Sequence, residues 1–217
     1  MIITTAITPG PPYEDELPFW EGKLAALGYR YIIGSLENSG HWMSNCLRKP
    51  SYILERYNEF PDEGILWLDV DTRVMQRMDL IHEKAKEYDF LCHELRSNKL
   101  HRRGYWLNAG VLYFAATVKG RELLETWESL CREVDPNSNM PEQRALAQAY
   151  YKVNPRFYSL PQSYNCDWDL EAAGVAVIVQ EKVSRKYKDI INSGKGISGI
   201  KRPITVKEAI ETRNKTI

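Results

Sequence analysis

Asp69 and Asp71 close the run Ile65-Leu66-Trp67-Leu68-Asp69-Val70-Asp71-Thr72, so two carboxylates separated by one residue follow four large apolar side chains. Such a run reads as a fully buried strand whose C-terminal end opens at a crevice, where ligands collect in open α/β sheets. Alternate side chains of an extended chain share a face, which aims both carboxylates the same way unless the chain has already begun to turn. Two carboxylates this close repel each other and raise one pKa unless a cation neutralises them, and hard oxygen ligands suit Mg²⁺ or Mn²⁺. The structural alternative is that one Asp caps the next segment while the other is a solvated turn residue.

The elements that must position this pair follow from periodicity and punctuation. Ile2 to Thr5 reads as a first strand, followed by a Pro-rich loop and a helix around Leu17 to Leu27. Tyr29 to Gly34 is the second strand, and Trp42 to Tyr57 is helical, with Pro50 starting a helix at its first turn. The run Pro61-Asp62-Glu63-Gly64 is the turn that precedes the acidic strand. Beyond it, Ile81 to Tyr88 is helical, Asp89 to Cys92 a short strand, and Tyr105 to Phe114 an aromatic, β-prone segment. Gly120 to Val134 carries Leu123, Leu124, Trp127, Leu130 and Cys131 on one helical face, and a further helix opens at Met140-Pro141-Glu142-Gln143 and runs to about Tyr151. Phe157 to Pro161 and Val175 to Val179 are late strands, and Ile204 to Lys215 a terminal helix. Alternating strands and helices predict an α/β fold with a mostly parallel central sheet flanked by helices.

Composition limits the function classes. The 217 residues carry 29 basic and 29 acidic side chains, a formal net charge of zero, so no general field attracts nucleic acid or an anionic membrane. The basic stretch Arg96 to Arg103, beside Tyr105 and Trp106, suits phosphate or an acceptor groove, but the neutral total argues against a broad nucleic-acid footprint. No apolar run approaches a transmembrane span, and the N-terminal segment reads as a strand rather than a signal peptide. Cys46, Cys92, Cys131 and Cys166 are widely spread without a C-x-x-C pair, which predicts reduced, mostly buried thiols in a cytoplasmic protein. The expectation is one domain over residues 1–217 with a mobile C-terminal segment, 192–217. Its Gly-rich, basic stretch around Lys195 and Lys201 is suited to act as a lid.

In this order the segments resemble the GT-A fold glycosyltransferases, the nucleotide-diphospho-sugar transferases. The resemblance spans about residues 1–190. It rests on the opening strand Ile2-Ile3-Thr4-Thr5-Ala6, Lys49-Pro50 heading a helix, Leu68-Asp69-Val70-Asp71 as a D-x-D motif, Leu107-Asn108-Ala109-Gly110-Val111, Pro141-Glu142-Gln143, and Val179 to Lys186. It implies a metal-dependent transfer of a sugar from a nucleotide-diphosphate donor, with a UDP-sugar favoured, to a hydroxyl acceptor such as a glycan. It also implies Mn²⁺ or Mg²⁺ at Asp69 and Asp71, with Asp71 binding directly and Asp69 binding the ion, a ribose hydroxyl, or both through water. Thr4, Thr5 and Ala6 would hold base and ribose, Lys49 would face the nucleotide, and Val70 would lie within the motif. Asn108, Ala109 and Gly110 would line the donor-sugar pocket, and Arg185 and Lys186 would contact the diphosphate. Glu142 becomes a candidate general base for an inverting transfer, with His93 and Glu94 as rivals. Many relatives place a metal-binding histidine after the late strand. This chain has Val179-Gln180-Glu181-Lys182 there, so either Glu181 supplies the third ligand or the metal relies on the two Asp residues, the diphosphate and water.

Each assignment has a plainer alternative: a buried strand for Thr4 to Ala6, a solvated Lys49, a bulged strand at Asn108 to Gly110, helix-end electrostatics for Glu142, a structural His93 and an exposed basic turn at Ser184 to Lys186. Two other function classes fit parts of the pattern. A phosphohydrolase of the haloacid dehalogenase type also carries D-x-D after an apolar strand and attacks with the first Asp, but it wants Thr or Val where this chain has Arg73, and it places the motif on the first strand. A non-catalytic nucleotide-sugar binding domain accords with the missing histidine.

Overall fold

The computed structural model describes residues 1–10, 12–95, 106–135, 142–166 and 174–181. The expectations for Arg96 to Arg103, for Ser184, Arg185 and Lys186, for the 192–217 segment and for a helix at Ile204 to Lys215 fall outside these residues.

The chain opens with β1 (Ile2–Ile7), α1 (Tyr13–Ala26) and β2 (Tyr31–Ser35), then α2 (Trp42–Leu47), α3 (Lys49–Glu59) and β3 (Ile65–Leu68). It continues through β4 (Thr72–Val74), α4 (Asp79–Lys84), β5 (Phe90–Glu94) and β6 (Leu107–Phe114). The last elements are α5 (Val118–Glu133), α6 (Glu142–Val153), β7 (Phe157–Leu160) and β8 (Ile178–Gln180). Six strands form one sheet in the order β2-β1-β3-β6-β5-β7, and β4 and β8 pair separately. The pairings β1/β2, β1/β3 and β5/β7 are parallel, whereas β6 is antiparallel to both neighbours, β3 and β5, so only β6 runs against the others. The sheet is mostly parallel, as the alternating pattern predicts. The reversal of β6 is not visible in its sequence, because a strand that is apolar on both faces carries no mark of direction.

Helices cover both faces. Tyr52, Ile53 and Tyr57 of α3, Leu123, Leu124 and Trp127 of α5, and Ala145 and Leu146 of α6 pack in one cluster with Ile65, Trp67, Phe90 and Phe114. Trp20 and Leu24 of α1 and Ile81 of α4 pack with Ile3, Leu66, Leu68 and Leu91 on the other side. β3 therefore sends alternate side chains into both cores, which explains its unbroken apolar run. Burying each such side chain contributes about 1.5–3 kcal/mol.

Local rules account for the helices next to the acidic pair. Pro50 occupies the first turn of α3, where its missing N–H costs nothing. Thr117 caps α5, its Oγ1 accepting from Gly120 N–H at 3.0 Å. Helix α1 begins one turn earlier than the apolar pattern suggests, with Glu14, Asp15 and Glu16 in its first turn offsetting the helix dipole, and this earlier start brings Tyr13 to the head of the helix. The late strand sits at Ile178–Gln180, a few residues beyond the predicted Val175 to Val179.

β3 ends at Leu68, and Asp69 to Thr72 form a turn closed by a hydrogen bond from Thr72 N–H to the Asp69 carbonyl at 2.9 Å. The two carboxylates therefore stand on a turn rather than on one strand face, and strand alternation does not describe them.

Candidate active site

The turn sits at the C-terminal edge of the parallel strands and opens on a cleft of about 140 Å³. Ala6, Ile7 and Thr8 form one wall where β1 ends, and Asp69, Val70 and Asp71 form the floor where β3 ends. Lys49 of α3 and Glu142 of α6 close the far side, and Tyr13 of α1 with Trp42, Asn45 and Cys46 of α2 complete the rim. Six of the residues singled out in the sequence, Ala6, Lys49, Asp69, Val70, Asp71 and Glu142, thus meet in one place although up to 136 positions separate them.

The centre of the site is ionic. Lys49 Nζ donates to Asp69 Oδ1 at 2.8 Å and to the Ala109 carbonyl at 3.1 Å, and lies 3.7 Å from Glu142 Oε1. Burial works against the ammonium, but the Asp69 and Glu142 carboxylates outweigh it and hold the Lys49 pKa above the ordinary lysine value. Trp67 Nε1 donates to the same Asp69 Oδ1 at 2.7 Å. The two acids differ in setting: the Asp69 side chain is 32% exposed, whereas Asp71 is 7% exposed. Burial, Cys46 and the two Asp carboxylates raise the Tyr13 phenol above its usual range, so it stays a hydrogen-bond donor at neutral pH. Burial, with the Glu142 carboxylate next in weight, pushes the Cys46 thiol well up, which suits a wall residue and not a nucleophile. None of the four cysteines forms a disulfide.

Other candidates lie elsewhere. Thr4 is fully buried, its Oγ1 donating to the Ile32 carbonyl at 3.0 Å and sharing a 3.1 Å hydrogen bond with Tyr52 Oη, and Thr5 is equally buried. Asn108 Oδ1 accepts from Gly110 N–H at 2.8 Å, which shapes the backbone of β6. A Cβ on Gly110 would lie 2.7 Å from Gln180 Nε2, so a neighbouring side chain occupies the space that glycine leaves. The Gly110 carbonyl accepts from Asp69 N–H at 2.9 Å and so anchors the start of the acidic turn. His93 is 9% exposed, its Nδ1 hydrogen-bonded to the Leu160 carbonyl at 2.8 Å, and it stands where the β5/β6 register shifts. Glu94 is half-buried, its backbone N–H bonding Ser159 Oγ at 3.3 Å. Neither residue lines the cleft.

Glu181 is also absent from the cleft wall. Its backbone N–H reaches the Asp71 carbonyl at 2.9 Å, but its carboxylate lies 3.7 Å from Arg73 Nε, within a cluster in which Arg73 also binds Glu16. Among the described residues no group of three or more His, Cys, Asp or Glu side chains is gathered to hold a metal. The donors that do suit a hard divalent ion are Asp71 and the Asp69 oxygen left over by Lys49 and Trp67, two carboxylates on one turn facing one cleft. Such a pair fits an ion whose remaining ligands come from a diphosphate and water.

Ile7, Thr8, Tyr13, Leu36, Trp42, Asn45 and Cys46 are cleft residues that the sequence did not single out. Tyr13 had a signal, its place just after the loop that leaves β1. The α2 residues had none, because the apolar spacing of Trp42 to Leu47 does not show which face of α2 meets the cleft. Among the described residues no helix is long and apolar enough to cross a membrane.

No protein-family model matches the sequence, and no curated protein matches it. Solved structures do. A glycosyltransferase involved in the glycosylation of the major capsid of PBCV-1 superposes with a TM-score of 0.66 at 20% identity, covering 88% of this chain and 98% of that one. The apo form of the glycosyltransferase GlyE of Streptococcus pneumoniae TIGR4 superposes with a TM-score of 0.51 at 19% identity, covering 82% of this chain and 53% of that one, so the chain spans about half its length. With five strands running one way, β6 reversed beside β3 and the acidic turn at the edge of the sheet, the fold of this chain is the GT-A glycosyltransferase fold.

Proposed function

We propose that the chain is a metal-dependent glycosyltransferase that moves a sugar from a nucleotide-diphosphate donor, a UDP-sugar by preference, to a hydroxyl acceptor such as a glycan. The observation that carries this reading is the convergence of Asp69, Asp71, Lys49 and Glu142 on one cleft at the strand ends of a glycosyltransferase fold. Glycosyl transfer from such a donor releases a nucleoside diphosphate, so the site must hold the negative charge that develops on the leaving group. Asp71 and the second oxygen of Asp69 would hold Mn²⁺ or Mg²⁺, which when bound supplies Lewis-acid stabilisation of the diphosphate.

This chain's own residues do the rest. Lys49 compensates the charge of Asp69 and keeps the floor of the cleft in one arrangement. Ala6, with its small side chain at the end of β1, lets a planar base approach the backbone, and Tyr13 offers a phenol along the rim. Glu142, at the start of α6 and 8% exposed, presents a carboxylate to the cleft and is the candidate to accept the acceptor hydroxyl proton. His93 is set aside for this role because its ring faces the β7 backbone.

Calorimetry tests the reading. Wild-type protein should bind UDP in the presence of Mn²⁺, and Asp71→Ala should lose that binding while its circular dichroism stays native. Normal Mn²⁺-UDP affinity in Asp71→Ala would refute the assignment. Donor binding without transfer to any hydroxyl acceptor would favour the non-catalytic binding domain, and phosphate release sensitive to Asp69→Asn without nucleotide binding would favour the phosphohydrolase.

A further inference from the structure

We propose that Trp67 is a positioning residue for Asp69: its indole N–H and the Lys49 ammonium fix one carboxylate oxygen so that the other is presented to the cleft. The inference rests on the donor-site reading above and adds a residue that the D-x-D pattern does not contain. Trp67 is 3% exposed, and its ring is set by the α3/α5 core, with Tyr52 edge-on at 6.0 Å and Lys49 Nζ 5.4 Å above its face. A ring held this firmly gives its N–H a fixed direction, and that direction ends on Asp69 Oδ1 at 2.7 Å.

Lys49 reaches the same oxygen at 2.8 Å, so two donors, one of them charged, converge on Oδ1. A carboxylate gripped through one oxygen has lost its rotational freedom, and among the described residues both grips fall on that side. The need for such a grip is local. Asp69 begins a turn, outside the ladder of β3, and its side chain is a third exposed, so the backbone alone does not hold its carboxylate. Trp67 is the last but one residue of β3, and its indole N–H reaches the Asp69 carboxylate across the start of the turn. Phe would supply an apolar ring to the same core, but it has no donor.

The opposite assignment is that Asp69 merely satisfies a buried indole N–H, as buried Trp requires. Two variants separate the readings. Trp67→Phe removes the donor with a small loss of volume, and β-(3-benzothienyl)alanine incorporated at position 67 replaces the N–H by sulfur at nearly constant shape, which keeps the test available if Trp67→Phe folds poorly. Each is examined by Mn²⁺-UDP calorimetry and by crystallography. Tyr57→Phe serves as control, since it loses a hydrogen bond to the Ala115 carbonyl in the same core cluster without touching Trp67 or Asp69.

The expected result is about a tenfold weaker Mn²⁺-UDP affinity for both position-67 variants, a rotated Asp69 carboxylate in their crystals, and wild-type affinity for Tyr57→Phe. Unchanged affinity, an unmoved Asp69 carboxylate, or an equal loss in Tyr57→Phe would overturn the proposal. If the wild type binds no Mn²⁺-UDP, the donor reading fails by itself, and the orientation of Asp69 in the variant crystals then decides the role of Trp67.

Discussion

Lys49 is the residue on which the charge balance of the site turns. The family resemblance suggested an ammonium facing a diphosphate, yet its charged partners are Asp69 at 2.8 Å and Glu142 at 3.7 Å. Both carboxylates depend on it, since removing one member of a buried ionic group leaves the others uncompensated. Lys49→Met, which retains most of the volume, should therefore destabilise the fold by about 3–5 kcal/mol, read as a lower urea midpoint at unchanged slope. A loss below about 1 kcal/mol would show that the ammonium matters little to the cleft's architecture. At the same scale, Asp69 and Asp71 are not equivalent: the first is partly exposed and held by two donors, the second is buried and lies beside the backbone of Glu181.

Among the elements, the joint of β5, β7 and α5 supports the sheet away from the cleft. Asp89, 3% exposed just before β5, accepts from Arg156 N–H at 2.9 Å, from Arg156 Nε and Nη2 at 3.1 and 2.8 Å, and from the capping Thr117 Oγ1 at 2.9 Å. The Arg156 side-chain hydrogen bonds, which outweigh the cost of burial, together with the Arg156 N–H and Thr117, hold the Asp89 pKa below its ordinary value of 3.8. A depressed carboxylate contributes stability that is present above the unfolded value and lost as pH falls through the folded one. Asp89→Asn should cost about 1.5–3 kcal/mol at pH 7, and the gap from wild type should narrow as pH drops below 3.8. Urea titrations at several pH values measure it, and a gap independent of pH would show that the charge of Asp89 does not matter.

For the molecule as a whole, the cleft draws its walls from β1, β3, α1, α2, α3 and α6, so a ligand held there ties together elements that are far apart in sequence. A ligand that binds only the folded state stabilises it by about 2.7 kcal/mol at a hundredfold excess over its dissociation constant. For a chain of this length that corresponds to a rise in Tm of roughly 5–10 °C. UDP with Mn²⁺ should produce such a rise in a thermal-shift assay and UDP alone a smaller one, whereas equal shifts would argue against a bridging ion.

The sequence by itself determined most of the elements and the acidic pair that follows β3. Periodicity placed Leu123, Leu124 and Trp127 on the buried face of α5, Pro50 marked the start of α3, and the unbroken apolar run before Asp69 announced a strand buried on both faces. These signals are legible because they act over a few residues, through backbone geometry and the spacing of apolar side chains. Only the tertiary structure decided which polar groups meet. It turned the chain at Asp69, kept Ala6 at the cleft while burying Thr4 and Thr5 in the sheet, set Glu181 against Arg73, and brought Lys49, Trp67 and Glu142 to Asp69 and its surroundings. Those partnerships depend on the order and direction of strands and on helices packed across a sheet, and a side chain's local sequence carries no record of what lies opposite it.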